Sequence, residues 1–321
     1  MASQEAGVDA LVKVEETALV PAAAPALEEL VRRFVDAQDV APSSRATYRR
    51  ELRQFCLWLQ ETGLATRMET IRREDILAYK DHLEKAGKSA YTVSGYLVAV
   101  RRLFAWLESE KVYPDIARGV KGAKKARGFR KDCLTPAQIR ETLEAIDRST
   151  LEGLRDYALV NLLARTGLRT VEVSKAELGD LRQESGEAVL WIQGKGRDTK
   201  DDFVLLVDDT LKPLRRWLKA RGPLTQYAPL FCSLSPKNYG EPLTTRSISR
   251  IAKNALKGAK LDSERLTAHS FRHTAVTLAI KGGASLEQAQ AMARHSDPRT
   301  TQVYFHNVSR VEAGAEKYIS F

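Results

Sequence analysis

The chain has 321 residues, 43% of them apolar and 29% charged, a composition suited to folded domains rather than to a disordered or membranous chain. Lysine and arginine number 51 against 41 aspartate and glutamate, so the formal charge is +10 and a polyanionic partner is indicated. No apolar run is long enough to cross a bilayer, and Glu5, Asp9, Glu15 and Glu16 replace the basic start of a secretion signal.

Cys56, Cys133 and Cys232 stand apart, which argues against a disulfide framework or a zinc site and fits a reducing, cytoplasmic setting. Residues 1–26 include Val20-Pro-Ala-Ala-Ala-Pro-Ala26 and read as a flexible tail. Residues 27–117 then read as one small all-helical domain. Leu27, Leu30, Val31, Phe34 and Val35 recur at helical spacing, and Pro42-Ser43-Ser44 marks a stop and a fresh start. Tyr48, Leu52, Phe55, Leu57, Trp58 and Leu59 form the second apolar stripe. A third helix is predicted over 73–86, with Ile76, Leu77, Tyr79 and Leu83. A fourth runs over 89–110, with Tyr96, Val100, Leu103, Phe104, Trp106 and Leu107.

Residues 118–131 carry seven bases and no acid, with glycines and no apolar face, and read as an extended interdomain linker. Seven unopposed cations repel one another unless an anion lies near, which makes Lys121, Lys124, Lys125 and Arg127 candidates for phosphate contacts. A merely solvated linker is the plain alternative. The second domain, 132–321, opens on Thr135-Pro136, a capping residue followed by a good first helical residue. Helices are predicted over 136–147, 153–165, 209–221, 245–257, 270–281 and 285–293, with a short one near Tyr304 and a C-terminal tail over 305–321. The runs 188–192 and 203–207 flank Gly194-Lys-Gly-Arg-Asp198 and predict a β-hairpin with a basic turn. The fold class is mainly α with a small antiparallel sheet.

Four clusters carry chemistry. In Ala164-Arg-Thr-Gly-Leu-Arg-Thr-Val-Glu172, Gly167 breaks a helix, and Arg169 and Glu172 follow three apart on the next, where they can pair. Lys195 between two glycines can project into a ligand, although a solvated turn lysine is the common explanation. In Ala268-His269-Ser270-Phe271-Arg272-His273, a cap at Ser270 puts His269 and Arg272 at a helix N-terminus, where unpaired N–H groups favour an anion. A buried histidine pair is the bland reading. In Arg294-His-Ser-Asp-Pro-Arg-Thr-Thr-Gln-Val-Tyr304, His295 lies nine residues before Tyr304.

Taken together, Arg169, Lys195, His269, Arg272, His295 and Tyr304 resemble in order and spacing the tyrosine recombinase family, which includes phage-type integrases and Xer-type recombinases. The helical half is similar to that family's SAM-like core-binding domain in Thr47-Tyr48 with Phe55, Trp58 and Leu59, and in Thr92 with Leu103, Phe104, Trp106 and Leu107. The resemblance spans about residues 27–310. Phe271 departs from the usual leucine, and Arg294 from the usual glycine; both are tolerable for packing, but Arg294 adds an unexplained charge beside the site.

The resemblance implies a site-specific recombinase that cleaves and rejoins DNA through a 3′-phosphotyrosine. Metal-free phosphodiester cleavage needs a nucleophile, cationic donors, a base and an acid. No acidic cluster suggests a metal site, and no cofactor is expected. Arg169 and Arg272 suit the phosphate oxygens, and Tyr304 is the attacking phenol. The resemblance assigns the phenol's proton to His269, the leaving 5′-oxygen to Lys195 and a phosphate hydrogen bond to His295. Glu172 is placed behind Arg169, orienting it or its helix. It further implies double-stranded DNA with inverted-repeat core sites, a synaptic tetramer, and a cytoplasmic, nucleoid-associated protein. Val308, Val311, Tyr318, Ile319 and Phe321 make the C-terminal segment apolar, for docking on its own core or on a neighbouring protomer. A non-catalytic DNA-binding protein and a type IB topoisomerase-like relaxing enzyme are the alternatives.

Overall fold

A computed structural model describes residues 27–64, 70–124, 132–194, 196–312 and 314–320, without the side chains at 307 and 309–312. The expected tail over 1–26, and Lys125, Arg127, Lys195 and the side chains of Val311 and Phe321, lie outside the described residues. The chain divides into two compact units, 1–126 and 127–321. Among the described residues no helix is long and apolar enough to cross a membrane.

In the first unit four helices, α1 (Leu27–Ala37), α2 (Pro42–Glu61), α3 (Arg73–Lys85) and α4 (Ala90–Ser109), surround an aromatic core. Phe55 is fully buried, with the rings of Trp58, Tyr79 and Phe104 at 6.2, 5.0 and 6.3 Å. Burying each such side chain contributes on the order of 2–3 kcal/mol, which holds helices of modest intrinsic stability together. Ser89 caps α4 by accepting the Thr92 N–H. Pro42 is the first residue of α2, so Ala41, not a serine, holds the cap position. Leu57 and Leu77, expected in the core, are exposed, since the 3.6-residue period turns each to the side of its helix away from the buried stripe.

The predicted linker begins as packed structure. Val120 is buried in the first unit's core, Arg101 donates to its carbonyl at 3.2 Å, and Gly122 lies against Ser94. Arg118 pairs with Glu108 and Asp115, so it is not an unopposed cation. Lys121 and Lys124 are exposed.

The second unit is built on α6 (Leu151–Thr166), buried on almost every side. Its neighbours are α5 (Pro136–Glu144), α8 (Asp208–Arg221), α9 (Thr245–Gly258) and α10 (Ala268–Lys281). Trp217 on α8 is fully buried and donates its indole N–H to the Leu230 carbonyl at 3.0 Å. Gly153 is obligatory on α6, because a Cβ there would lie 1.6 Å from the Asp147 carbonyl oxygen.

The sheet has three antiparallel strands in order β1 (Leu181–Glu184), β2 (Glu187–Ile192) and β3 (Asp202–Leu205). The predicted hairpin pairs Trp191 with Phe203 and Ile192 with Asp202. Strand β1 is an addition to that hairpin: Leu-Arg-Gln-Glu has no β-branched residue and is extended by its ladder to β2. The remaining helices are α7 (Thr170–Ser174), α11 (Leu286–Ala293) and α12 (Pro298–Glu312). The short helix expected near Tyr304 is thus 15 residues long, and Tyr304 lies within it rather than after it.

Candidate active site

The site forms where four chain breaks meet. The first follows α6. Gly167 ends that helix at φ +61°, a left-handed conformation glycine adopts without strain, and turns the chain into α7. Arg169 is the N-cap of α7. Its backbone N–H donates to Glu172 Oε2 at 2.7 Å and its guanidinium to Glu172 Oε1 at 2.8 Å. The predicted Arg169–Glu172 pair is therefore present, with Glu172 completely buried.

The second break precedes α10. Thr267, not Ser270, is its N-cap, and Ser270 accepts the Thr267 N–H at 3.1 Å. The helix thus starts earlier than expected. His269 lies exposed in its first turn, and Arg272 lies one turn further in, 4% exposed. Arg272 donates to the Gly167 carbonyl at 2.6 Å and to the Ala293 carbonyl.

The third break is the C-terminus of α11. Arg294 takes φ +52° there, so the carbonyls of Ala293 and Arg294 receive Arg272 and Arg169 respectively, the latter at 3.4 Å. Unpaired carbonyls at a helix C-terminus are suited to hold guanidinium groups. The fourth break opens α12, which carries Thr301 and Tyr304 on one face, three residues apart. Thr301 is fully buried, and its hydroxyl bonds His295 Nδ1 at 2.9 Å. The Tyr304 hydroxyl bonds His273 Nδ1. The His273 and His295 rings lie 5.4 and 6.1 Å from the Tyr304 ring, and the His269 ring 5.6 Å from that of His273.

The electrostatics follow from burial among cations. Burial, then Arg169 and Arg294, bring Arg272 down to about 10, against the pull of Glu172 and Tyr304. Burial, then the arginines, bring His295 to about 4. Burial, then His269 and Arg272, do the same for His273. Both imidazoles are neutral at pH 7. Burial pushes the Tyr304 phenol up to about 12, although Arg272 and Arg169 pull the other way. At pH 7 the phenol therefore keeps its proton beside a neutral His273. For Glu172, burial raises the carboxyl, but Arg294, the Arg169 N–H and the Arg169 side chain outweigh it and hold it ionised.

Arg169, Glu172, Arg294 and His295 line a cavity of about 500 Å³, which Gly194, Arg197, Asp201, Asp202 and Ser296 complete. Gly194 and Arg197, of the segment between β2 and β3, thus border the cavity. Among the described residues no group of three or more His, Cys, Asp or Glu could hold a metal ion. Of the residues singled out in the sequence, Arg169, Glu172, Arg272, His295 and Tyr304 converge here, with His269 exposed beside them. Lys121 and Lys124 belong to the first unit.

Sequence reasoning misses the contacts of His273, Thr301 and Arg294. The three-residue spacing of Thr301 and Tyr304 is a usable signal. A separation of 122 positions between Glu172 and Arg294 hides theirs.

Residues 132–310 match the Phage integrase family, and residues 27–111 match the Phage integrase, N-terminal SAM-like domain. A tyrosine recombinase XerD from Listeria monocytogenes is 28% identical over 87% of this chain and 93% of its own length. A tyrosine recombinase from Synechococcus elongatus is 30% identical over 82% of this chain and 84% of its own. Among solved structures, the XerH site-specific recombinase bound to palindromic difH substrate, in a post-cleavage complex, superposes with a TM-score of 0.72. It is 22% identical, covering 90% of this chain and 84% of that one, a likeness of fold.

Proposed function

The chain belongs to the phage integrase family and is a Xer-like tyrosine recombinase, a DNA strand-transferring enzyme of site-specific recombination, and we propose that Tyr304 is its nucleophile. The observation that carries this is the convergence of Tyr304, His295, Arg272 and Arg169 from four separate breaks in the chain.

The two guanidinium groups draw off the charge that develops on the non-bridging oxygens of the scissile phosphate. The Tyr304 oxygen attacks phosphorus, the bond to the 5′-oxygen breaks, and a 3′-phosphotyrosyl link forms. The phenol proton leaves through the imidazole pair: His273 Nδ1 meets the hydroxyl and His269 stands at the exposed end of the same helix. His269 thus shares with His273 a task that the family resemblance assigns to it alone. Lys195 delivers a proton to the leaving 5′-oxygen. His295, its Nδ1 engaged by Thr301, presents Nε2 to the phosphate. The 5′-hydroxyl of another strand then reverses the step, so exchange conserves the bond energy.

Double-stranded DNA is the partner, and inverted-repeat core sites and a synaptic tetramer are the finer form of this reading. Tyr318 and Ile319 are 81% and 62% exposed rather than docked on their own unit, which supports a C-terminal segment that seats on a neighbour.

The test is Tyr304→Phe. DNA affinity is expected to persist while the covalent protein–DNA adduct on denaturing gels disappears. A persistent adduct rules out Tyr304 as the nucleophile. Relaxation of plasmids without a cognate site as the main activity would favour a topoisomerase.

A further inference from the structure

Arg294 is a third guanidinium in the site, and the strand-transfer steps give it no task. Four observations bear on it. Its backbone sits at φ +52°, a conformation strained for any residue with a Cβ. Its side chain is 6% exposed and donates to Glu172 Oε2 at 2.8 Å, the same oxygen that accepts the Arg169 N–H. Its guanidinium also donates to the Met292 carbonyl and, at 3.5 Å, to the Gly167 carbonyl, while its Nε is buried without a hydrogen-bond partner. It lines the cavity together with Arg169 and His295.

We propose that Arg294 is a positioning residue for Arg169: by holding one oxygen of buried Glu172, it keeps that carboxylate from taking both donors of the Arg169 fork. This rests on the reading of Arg169 as a phosphate-binding residue. A carboxylate facing a single guanidinium takes it bidentately, in two parallel N–H···O bonds. Here Glu172 meets Arg169 through Nη1 only, and the second Glu172 oxygen is occupied by Arg294 and a backbone N–H. The Arg169 Nη2 is left with the Arg294 carbonyl at a loose 3.4 Å, a partner that a phosphate oxygen can displace. The charge follows the same logic. With Arg294 present, three guanidinium groups, those of Arg169, Arg272 and Arg294, share the one carboxylate of Glu172.

The experiment uses the full chain and three variants: Arg294→Gly, Glu172→Gln, and the two combined. Glycine takes the left-handed conformation freely, so Arg294→Gly keeps the turn and removes only the side chain. Single-turnover adduct formation on a nicked or suicide DNA substrate is expected to slow by about 10–100-fold in Arg294→Gly, the range for a misaimed reacting group, with DNA affinity little changed. Adding Glu172→Gln to that variant is expected to recover most of the rate, because a neutral amide no longer captures the fork. Arg294→Lys is expected to recover part.

A second arm needs no DNA chemistry. Stabilisation by sulfate, read from thermal unfolding, is expected to fall in Arg294→Gly and to return in the double variant. Wild-type adduct rates in Arg294→Gly, or a double variant no faster than Arg294→Gly, overturn the proposal. A wild-type chain that forms no adduct overturns the recombinase chemistry instead, and the sulfate arm alone then decides for or against Arg294.

Discussion

Removing the Glu172 carboxylate tests how the site is held together. Glu172 is fully buried and accepts three charge-assisted or backbone hydrogen bonds, two from Arg169 and one from Arg294, at 2.7–2.8 Å. Glu172→Ala leaves two guanidinium groups facing each other, with Arg272 close enough to feel both. Breaking a buried pair by deleting one partner costs about 3–5 kcal/mol, since the remaining charge is uncompensated. At about 2.1 cal/mol/K per residue, the unit over 127–321 has an unfolding entropy near 0.4 kcal/mol/K, so its transition is expected to fall by about 7–12 °C. Scanning calorimetry of the full chain reads this. Sulfate is expected to restore more of the loss in the variant than it adds to the wild type, because an anion replaces the missing carboxylate. A fall under about 2 °C, or equal sulfate effects, would refute the reasoning: the arginines would then be solvated and the carboxylate dispensable.

Acid is expected to weaken the second unit. The folded-state values of His273 and His295, about 4, lie below the ordinary 6.5, so the unfolded chain binds more protons between these pH values. Stability is complete above about pH 6.5 and lost as pH falls toward 4. Each histidine contributes at most about 3 kcal/mol and on the order of 1 kcal/mol after solvent screening of half-exposed rings. Urea midpoints that do not move between pH 7 and 5 would contradict this. Thr301→Val removes the hydroxyl that fixes His295 and is expected to slow adduct formation by about tenfold with small loss of stability; an unchanged rate would detach His295 from the chemistry. Replacing Lys121, Lys124, Lys125 and Arg127 together is expected to flatten the salt dependence of DNA binding, by up to about 0.9 in log–log slope for each phosphate no longer neutralised; an unaltered slope would mean that none touches phosphate.

Much of this protein is written locally. Helix starts at Ser89 and Thr135, the break at Gly167 and the Trp191–Phe203 hairpin each depend on residues within a few positions, and short-range physics reads them directly. The family is legible for the same reason, since its motifs are short: His269 to His273 and His295 to Tyr304. What sequence leaves open depends on partners that only folding brings near. Strand β1 is extended because β2 lies beside it. Tertiary structure brought His273, one helical turn on from His269 along the same face, to the Tyr304 hydroxyl. It also explains Arg294, whose charge pairs with no nearby acid in the sequence but closes on a carboxylate 122 residues earlier. A buried charge must find its counterpart in space, and chain separation carries no trace of that meeting.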